Sequence, residues 1–219
     1  NTAVGFSALY SNTAHYNTAV GTNALYSNTT AKFNSALGYG ALYSNVTGTD
    51  NTSVGFQSLY SSTSGGNVAI GSNTLFNQTT GAGNTAIGSG AGKSNTTGQS
   101  NTIVGAYAMY YGTNTGNSNT GVGYGVLGNN TTGGYNVAFG TANLTQNSTG
   151  SYNTSVGHSA LNSNTTGTYL VALGAFAAQR NTTGTHNTAI GNNSFLFNTT
   201  GSYSTAIGSS ALNQNTTGG

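Results

Sequence analysis

The sequence predicts an all-β fold, a parallel β-solenoid, and three observations carry that expectation. A five-residue phrase, N-T-A-V-G at Asn1–Gly5, recurs along all 219 residues, its last form ending at Gly208. The closing glycines are Gly5, Gly21, Gly38, Gly55, Gly71, Gly88, Gly105, Gly123, Gly140, Gly157, Gly174, Gly191 and Gly208. They mark thirteen copies 17 residues apart, with two gaps of 16 and one of 18. Proline is absent, as expected where both edges of every strand are paired. Only Lys32, Lys93, Arg180 and Asp50 carry charge. A like charge repeated on stacked coils would meet its copy about 5 Å away and cost roughly 1 kcal/mol per pair even in water, whereas amides and hydroxyls can form hydrogen-bonded ladders.

Within each copy the residue before the glycine is always apolar, from Val4 and Val20 through Phe139 to Ile207. Two residues earlier stands Thr or Ser, exchanged for Val at Val68, Val137 and Val171, with a small residue, usually Ala, between. That is strand periodicity. It places Thr and the apolar residue inward, and Ala outward against a closely packed neighbour. The glycine permits a bend. A small residue and a large apolar one follow, as in Ala24-Leu25 and Ala160-Leu161, and predict a second short strand. The copy closes on a polar corner, most often N-T-T-G as at Asn164–Gly167, whose Asn and Gly suit a tight turn. A 17-residue unit is too short for a helical pair, and its β-branched and glycine content disfavours a single helix. Residues 1–219 therefore read as one solenoid array of thirteen coils, about 60 Å long at the usual strand spacing. The chain starts and stops in mid-pattern, as a segment of a longer fibre would.

Composition narrows the function classes. A net charge of +2 spread over the chain gives no footprint for nucleic acid or anionic lipid. No run of about 18 apolar residues offers a membrane span in this segment. Without cysteine there is neither a disulfide framework nor a thiolate metal site. Each coil supplies few large apolar residues and many small ones, which suits packing against further chains, and a homotrimer or a filament of this chain is the expected assembly.

N-T-A-I-G followed by A-L and a turn resembles the head repeats of trimeric autotransporter adhesins, Asn67–Gly71 (N-V-A-I-G) being the nearest phrase. Similar arrays occur in repetitive phage-type tail-fibre proteins. The resemblance implies a left-handed parallel β-roll, three chains side by side, and an adhesive or spacer role on a cell or virion surface. The 17-residue repeat is longer than the roughly 14 residues usual in those heads.

Candidate sites are few. Gly88–Ser94 (G-S-G-A-G-K-S) lacks the first glycine of a phosphate-binding loop, since Ile87 stands there. His15, His158 and His186 fall at unrelated repeat positions, and a lone Asp50 provides no catalytic pair. No enzyme, cofactor or metal site is expected. Five residues after the closing glycine, Tyr10, Tyr26, Tyr43, Tyr60, Phe76 and Tyr110, with Lys93 interposed, form an aromatic column that predicts interchain packing or a surface for glycans on a host. Acceptor triplets for N-glycosylation include Asn28, Asn45, Asn77, Asn95, Asn164, Asn181, Asn198 and Asn215. The expected function is a structural and adhesive fibre segment, outside the cell or on a virion. A self-assembling extracellular filament is one alternative. Ice binding is another, set behind because the Thr-Thr pairs fall at turns rather than in alternating rows on a strand.

Overall fold

A computed structural model describes residues 1–218 and shows the parallel β-solenoid. Among the described residues there are thirteen strands of three residues, from β1 (Thr2–Val4) to β13 (Thr205–Ile207), and no helix. Each strand pairs in parallel with the next, in chain order and in register, so that Thr2 meets Thr18 and Val4 meets Val20. The 16- and 18-residue copies keep this register. Thr102 still pairs with Thr120 across the 18-residue gap, because the polar corner absorbs the change: Asn114 follows Asn95 by 19 residues and Asn119 follows Asn114 by five, one fewer than in the preceding coil.

The facing of the strand is the reverse of the expectation. The small middle residue points inward: Ala19, Ala69, Ala86, Ala138, Ala172 and Ala189 are fully buried. The apolar residue before the glycine points out, with Leu37 50% and Ile207 67% exposed. The interior is the reason. It is already filled by Leu25, Leu42, Leu59, Leu75, Leu127, Leu144 and Leu161 from the other side of the coil, all at 0% exposure, and the space left opposite the strand fits a methyl group.

The second half of the copy is not a strand either. It is a run of turns in which two residues of nearly every coil adopt positive φ: the second after the glycine (Asn23 60°, Asn193 54°) and the buried Leu two further on (Leu25 52°, Leu161 49°). A non-glycine residue in that region costs roughly 1–2 kcal/mol. Burying a leucine, worth about 1.5–3 kcal/mol, offsets it, and so do the backbone bonds. The Leu25 amide donates to Ala41 O in the next coil at 3.0 Å, and its carbonyl accepts the Asn28 amide at 3.2 Å. The closing glycine holds φ near +130°, where glycines of neighbouring coils touch. A Cβ on Gly174 would lie 2.6 Å from Gly191 O.

Core volume is conserved across coils rather than within them. Gly92 stands at the leucine position, and its neighbour compensates with Ile103 in place of Ala on the strand. A Cβ on Gly92 would meet Leu75 Cδ2 at 2.7 Å and Ile103 Cδ1 at 3.0 Å. One coil on, Gly121 replaces Ala where Val126 takes the space, a built Cβ coming 3.1 Å from Val126 Cγ1. Ile103→Ala is therefore expected to cost about 3 kcal/mol, read from chemical denaturation. Combining it with Gly92→Leu, at a φ that leucine adopts elsewhere in the column, recovers part of that loss once Leu75 shifts its methyl, and a strictly additive cycle would contradict the exchange.

Candidate interaction surfaces

Four long features arise from the stacking: a polar corner, two aromatic ladders and the outer face of the sheet. The corner is built from two asparagine columns, and both are buried. In the first, the Asn that opens each phrase accepts the backbone N–H of its counterpart in the next coil, as Asn136 Oδ1 does from Asn153 N at 3.1 Å. Its Nδ2 donates to the corner glycine, Asn153 to Gly167 O at 2.9 Å. In the second column the N-T-T-G asparagine donates both to the same glycine carbonyl and to the preceding rung: Asn164 Nδ2 reaches Gly167 O at 3.1 Å and Asn147 Oδ1 at 2.8 Å. Gly167 O thus accepts from both columns. Where the sequence varies, the ladder persists. Gln78 Oε1 accepts from Asn84 and Asn95 at 3.1 and 3.2 Å, and Asn114 bridges Asn95 and Asn130 at 2.9 Å each.

This placement corrects the glycosylation reading. Asn28, Asn45, Asn95, Asn164, Asn181 and Asn198 are fully buried, and the Nδ2 that would carry the glycan is spent inside the rod. No sugar fits there in the folded coil. Asn77 is exposed, because Gln78 takes its place in the ladder, and Asn215 is half-buried on the last coil.

The aromatic column is a continuous stack. Ring centroids of Tyr10–Tyr26, Tyr26–Tyr43, Tyr43–Tyr60 and Tyr60–Phe76 lie 4.9–5.3 Å apart, with interplanar angles of 4–14°. Lys93 Nζ then sits 5.0 Å from the centre of the Tyr110 ring and 3.2 Å from its hydroxyl. Burial, with the nearby phenols of Tyr43 and Tyr39, pushes the Tyr60 hydroxyl above its ordinary value. Both faces of each inner ring are covered by its neighbours, so sugar rings can meet edges and hydroxyls but not ring faces.

A second ladder went unread in the sequence. Tyr135, Tyr152, Tyr169, His186 and Tyr203, each immediately before the residue that opens the phrase, stack at 4.8–5.1 Å. Tyr16 and Phe33 stack at the same repeat position near the other end. The available signal was the aromatic in Y-N-T and Y-N-V, masked in mid-chain by Asp50, Gly66, Gly83, Ser100 and Ser118. All these residues hold positive φ, from 55° at Tyr169 to 72° at Gly66.

The outer sheet face presents two columns, the Thr/Ser/Val that opens each strand and the apolar residue that closes it. Val4, Leu37, Ile70, Ile87, Phe139, Val156, Leu173 and Ile207 are exposed; Val20, Val54, Val104, Val122 and Ile190 are half-buried.

The remaining motifs lead elsewhere. Gly88–Ser94 lies in the turn run with no helix after it, and its amides are engaged, Gly90 N with Ser72 O at 2.9 Å and Gly92 N with Ala108 O at 2.8 Å. His15, His158 and His186 are exposed, and no group of three metal-binding side chains exists among the described residues. No helix among them is long and apolar enough to cross a membrane. Comparisons with protein-family models, curated proteins and solved structures find no match.

Asn147→Asp tests the ladder. It removes the donor bonded to Asn130 Oδ1 at 2.8 Å and to Gly150 O at 2.9 Å, and sets a carboxylate against two acceptors. A loss of about 3 kcal/mol is expected, against roughly 0.5 kcal/mol or less for Asn192→Asp on the surface. Equal melting temperatures for the two variants would contradict a structural ladder.

Proposed function

We propose that this chain is a structural and adhesive segment of an extracellular fibre, a shaft or head of a surface appendage or tail fibre, in which copies lie side by side across the outer face of the sheet. The observation that supports it is the outward apolar column. All thirteen strands end in Val, Leu, Ile or Phe directed away from the core. A contiguous apolar stripe running the length of a rod exceeds what a soluble monomer usually exposes and marks an interaction surface. A second copy carries a stripe of the same spacing, and three rods closing on a common axis cover it on every chain, as the resemblance to trimeric heads implies. The stacked ladders favour structural over sugar-stacking use of the aromatics. Adhesive contact then rests on ring edges, corner threonines and exposed hydroxyls, with a host surface or its glycans as partner.

Sedimentation of the purified chain is expected to show a trimer or larger bundle. Ile87→Asp with Val104→Asp, two adjacent outward positions, should yield monomers that keep the β-type circular dichroism. A wild-type chain that sediments as a monomer at micromolar concentration would refute the proposal.

One observation favours a second reading. Nine of the thirteen strands open with threonine, and these residues lie in an outward column parallel to the apolar one, the alternating row that the turn threonines did not provide. Such a flat Thr-x-aliphatic lattice suits ordered water, and ice is the ligand of this reading. It requires the face to be free. Thermal hysteresis in freezing solutions, lost on replacing Thr85, Thr102 and Thr120 by Lys, is its expected result; a bundle without hysteresis excludes it.

A further inference from the structure

We infer that the tyrosine ladders are sites of oxidative cross-linking, at which neighbouring coils of one chain become joined by dityrosine bonds. The first premise is composition. The chain has no cysteine, no tryptophan and one methionine, against fourteen tyrosines. Met109 is 1% exposed. A one-electron oxidant at the surface therefore meets phenols before any other readily oxidised side chain.

The second premise is placement. Tyr10, Tyr26, Tyr43 and Tyr60 stack with centroids 4.9–5.1 Å apart and planes within 7°. Tyr135, Tyr152 and Tyr169 do the same at 4.9–5.1 Å and within 5°. Registered stacking sets like ring carbons against like, so the carbons ortho to adjacent hydroxyls stand about one coil apart, and coupling draws the two rings together and swings them edge to edge as the bond forms. The rings are edge-accessible, Tyr135, Tyr152 and Tyr169 being about half exposed. Other tyrosines have no parallel tyrosine neighbour: Tyr16 stacks on Phe33, Tyr39 on Phe56 and Tyr203 on His186, while Tyr107, Tyr110, Tyr111 and Tyr124 meet one another only edge-on, at 78–80°. The geometry thus sorts the fourteen into seven with a parallel tyrosine neighbour in the next coil and seven without one.

Hydrogen peroxide acting through a haem peroxidase supplies the oxidant. Each of two adjacent phenols gives up one electron and one proton, and the phenoxyl radicals join through their ortho carbons. The two ring hydrogens at the new C–C bond then move to the oxygens as aromaticity returns. The two electrons and two protons reduce one peroxide to two waters. The product ties residues 16 or 17 positions apart and staples successive coils.

The test oxidises the intact chain with peroxidase and peroxide, and reads dityrosine fluorescence, gel mobility and the cross-linked peptides. Expected are links between Tyr10, Tyr26, Tyr43 and Tyr60 and between Tyr135, Tyr152 and Tyr169, in products that keep single-chain mass and in a yield per chain unchanged by dilution. A variant carrying Tyr26→Phe, Tyr43→Phe and Tyr152→Phe keeps every stacked ring but no stacked phenol pair. It should lose at least about fivefold of the single-chain product, since proximity in the ladder drives the coupling. Links that fall mainly on Tyr16, Tyr39 or Tyr203 or among Tyr107, Tyr110, Tyr111 and Tyr124, a yield that rises with protein concentration, or an undiminished yield in the triple variant would each overturn the inference.

Discussion

The shared carbonyl at the polar corner is the constraint on which the rod depends. In each regular coil two asparagine side chains, from opposite ends of the repeat, converge on one glycine oxygen, as Asn119 and Asn130 do on Gly133 at 2.9 Å each. Neither amide reaches water. An unpaired buried amide costs roughly 1–3 kcal/mol, so a coil that slipped by one residue would orphan donors and acceptors in both columns at once. Hydrophobic burial resists such a slip as well, since one residue turns each strand's small inward side chain to the outer face, and the amide columns add their own cost to it. The amides fix the register, and the register aligns everything outside them: the glycine contacts, the ring stacks and the outward columns. Each rung also polarises the next, so the network is worth more than its separate bonds.

The same constraint explains which irregularities the array accepts. The 16-residue copies shorten the corner and keep its acceptors by other means, Ser64 O taking the Asn51 donor at 2.9 Å. Leu170 stands in the first column and still donates its backbone N–H to Asn153 Oδ1 at 3.0 Å. Buried polar intrusions into the apolar side are likewise answered locally. Asn143, at a position that is Ala in most coils, donates to Phe139 O and Gly157 O at 3.1 and 2.9 Å and accepts from Ser155 on the following strand. Serines on the strand find carbonyls in the same way, Ser53 Oγ donating to Ser58 O at 2.9 Å.

Much of this was legible in the sequence, and the limits have physical causes. Repeat length, the absence of proline and the scarcity of charge all bear on stacking, and they lead directly to a parallel solenoid. Facing was misread because Val and Ile outrank Ala in hydrophobicity, whereas burial here is decided by width: the leucines at positive φ reach across the coil and leave room only for Ala19 or Ala86. The turn run was misread as a strand because Ala-Leu carries no turn signal, and Leu25 at φ 52° contradicts local preference. N-T-T-G looked like a surface corner with sugar acceptors, since sequence alone does not reveal that Asn164 turns inward. The Tyr10–Phe76 stack was readable because five adjacent copies repeat an aromatic, while the equally ungapped Tyr135–Tyr203 ladder includes His186 and shares its repeat position with Asp50, Gly66, Gly83, Ser100 and Ser118.

Thirteen copies also let the chain serve as its own comparison between positions. The residue after the closing glycine and the residue before it are both directed to solvent. The later position holds Phe6, Thr22, Tyr39, Ser89, Ala106, His158 and Asn192, a free mixture of polar, small and aromatic side chains. The earlier one never departs from Val, Leu, Ile or Phe. Strand propensity does not account for the difference, since threonine would serve it and occupies the equivalent outward site two residues before. Nor does the core, which the side chain does not enter. An exposed position that remains apolar in every coil, beside one that varies freely, is the feature on which the proposed packing against a second rod of the same pitch rests.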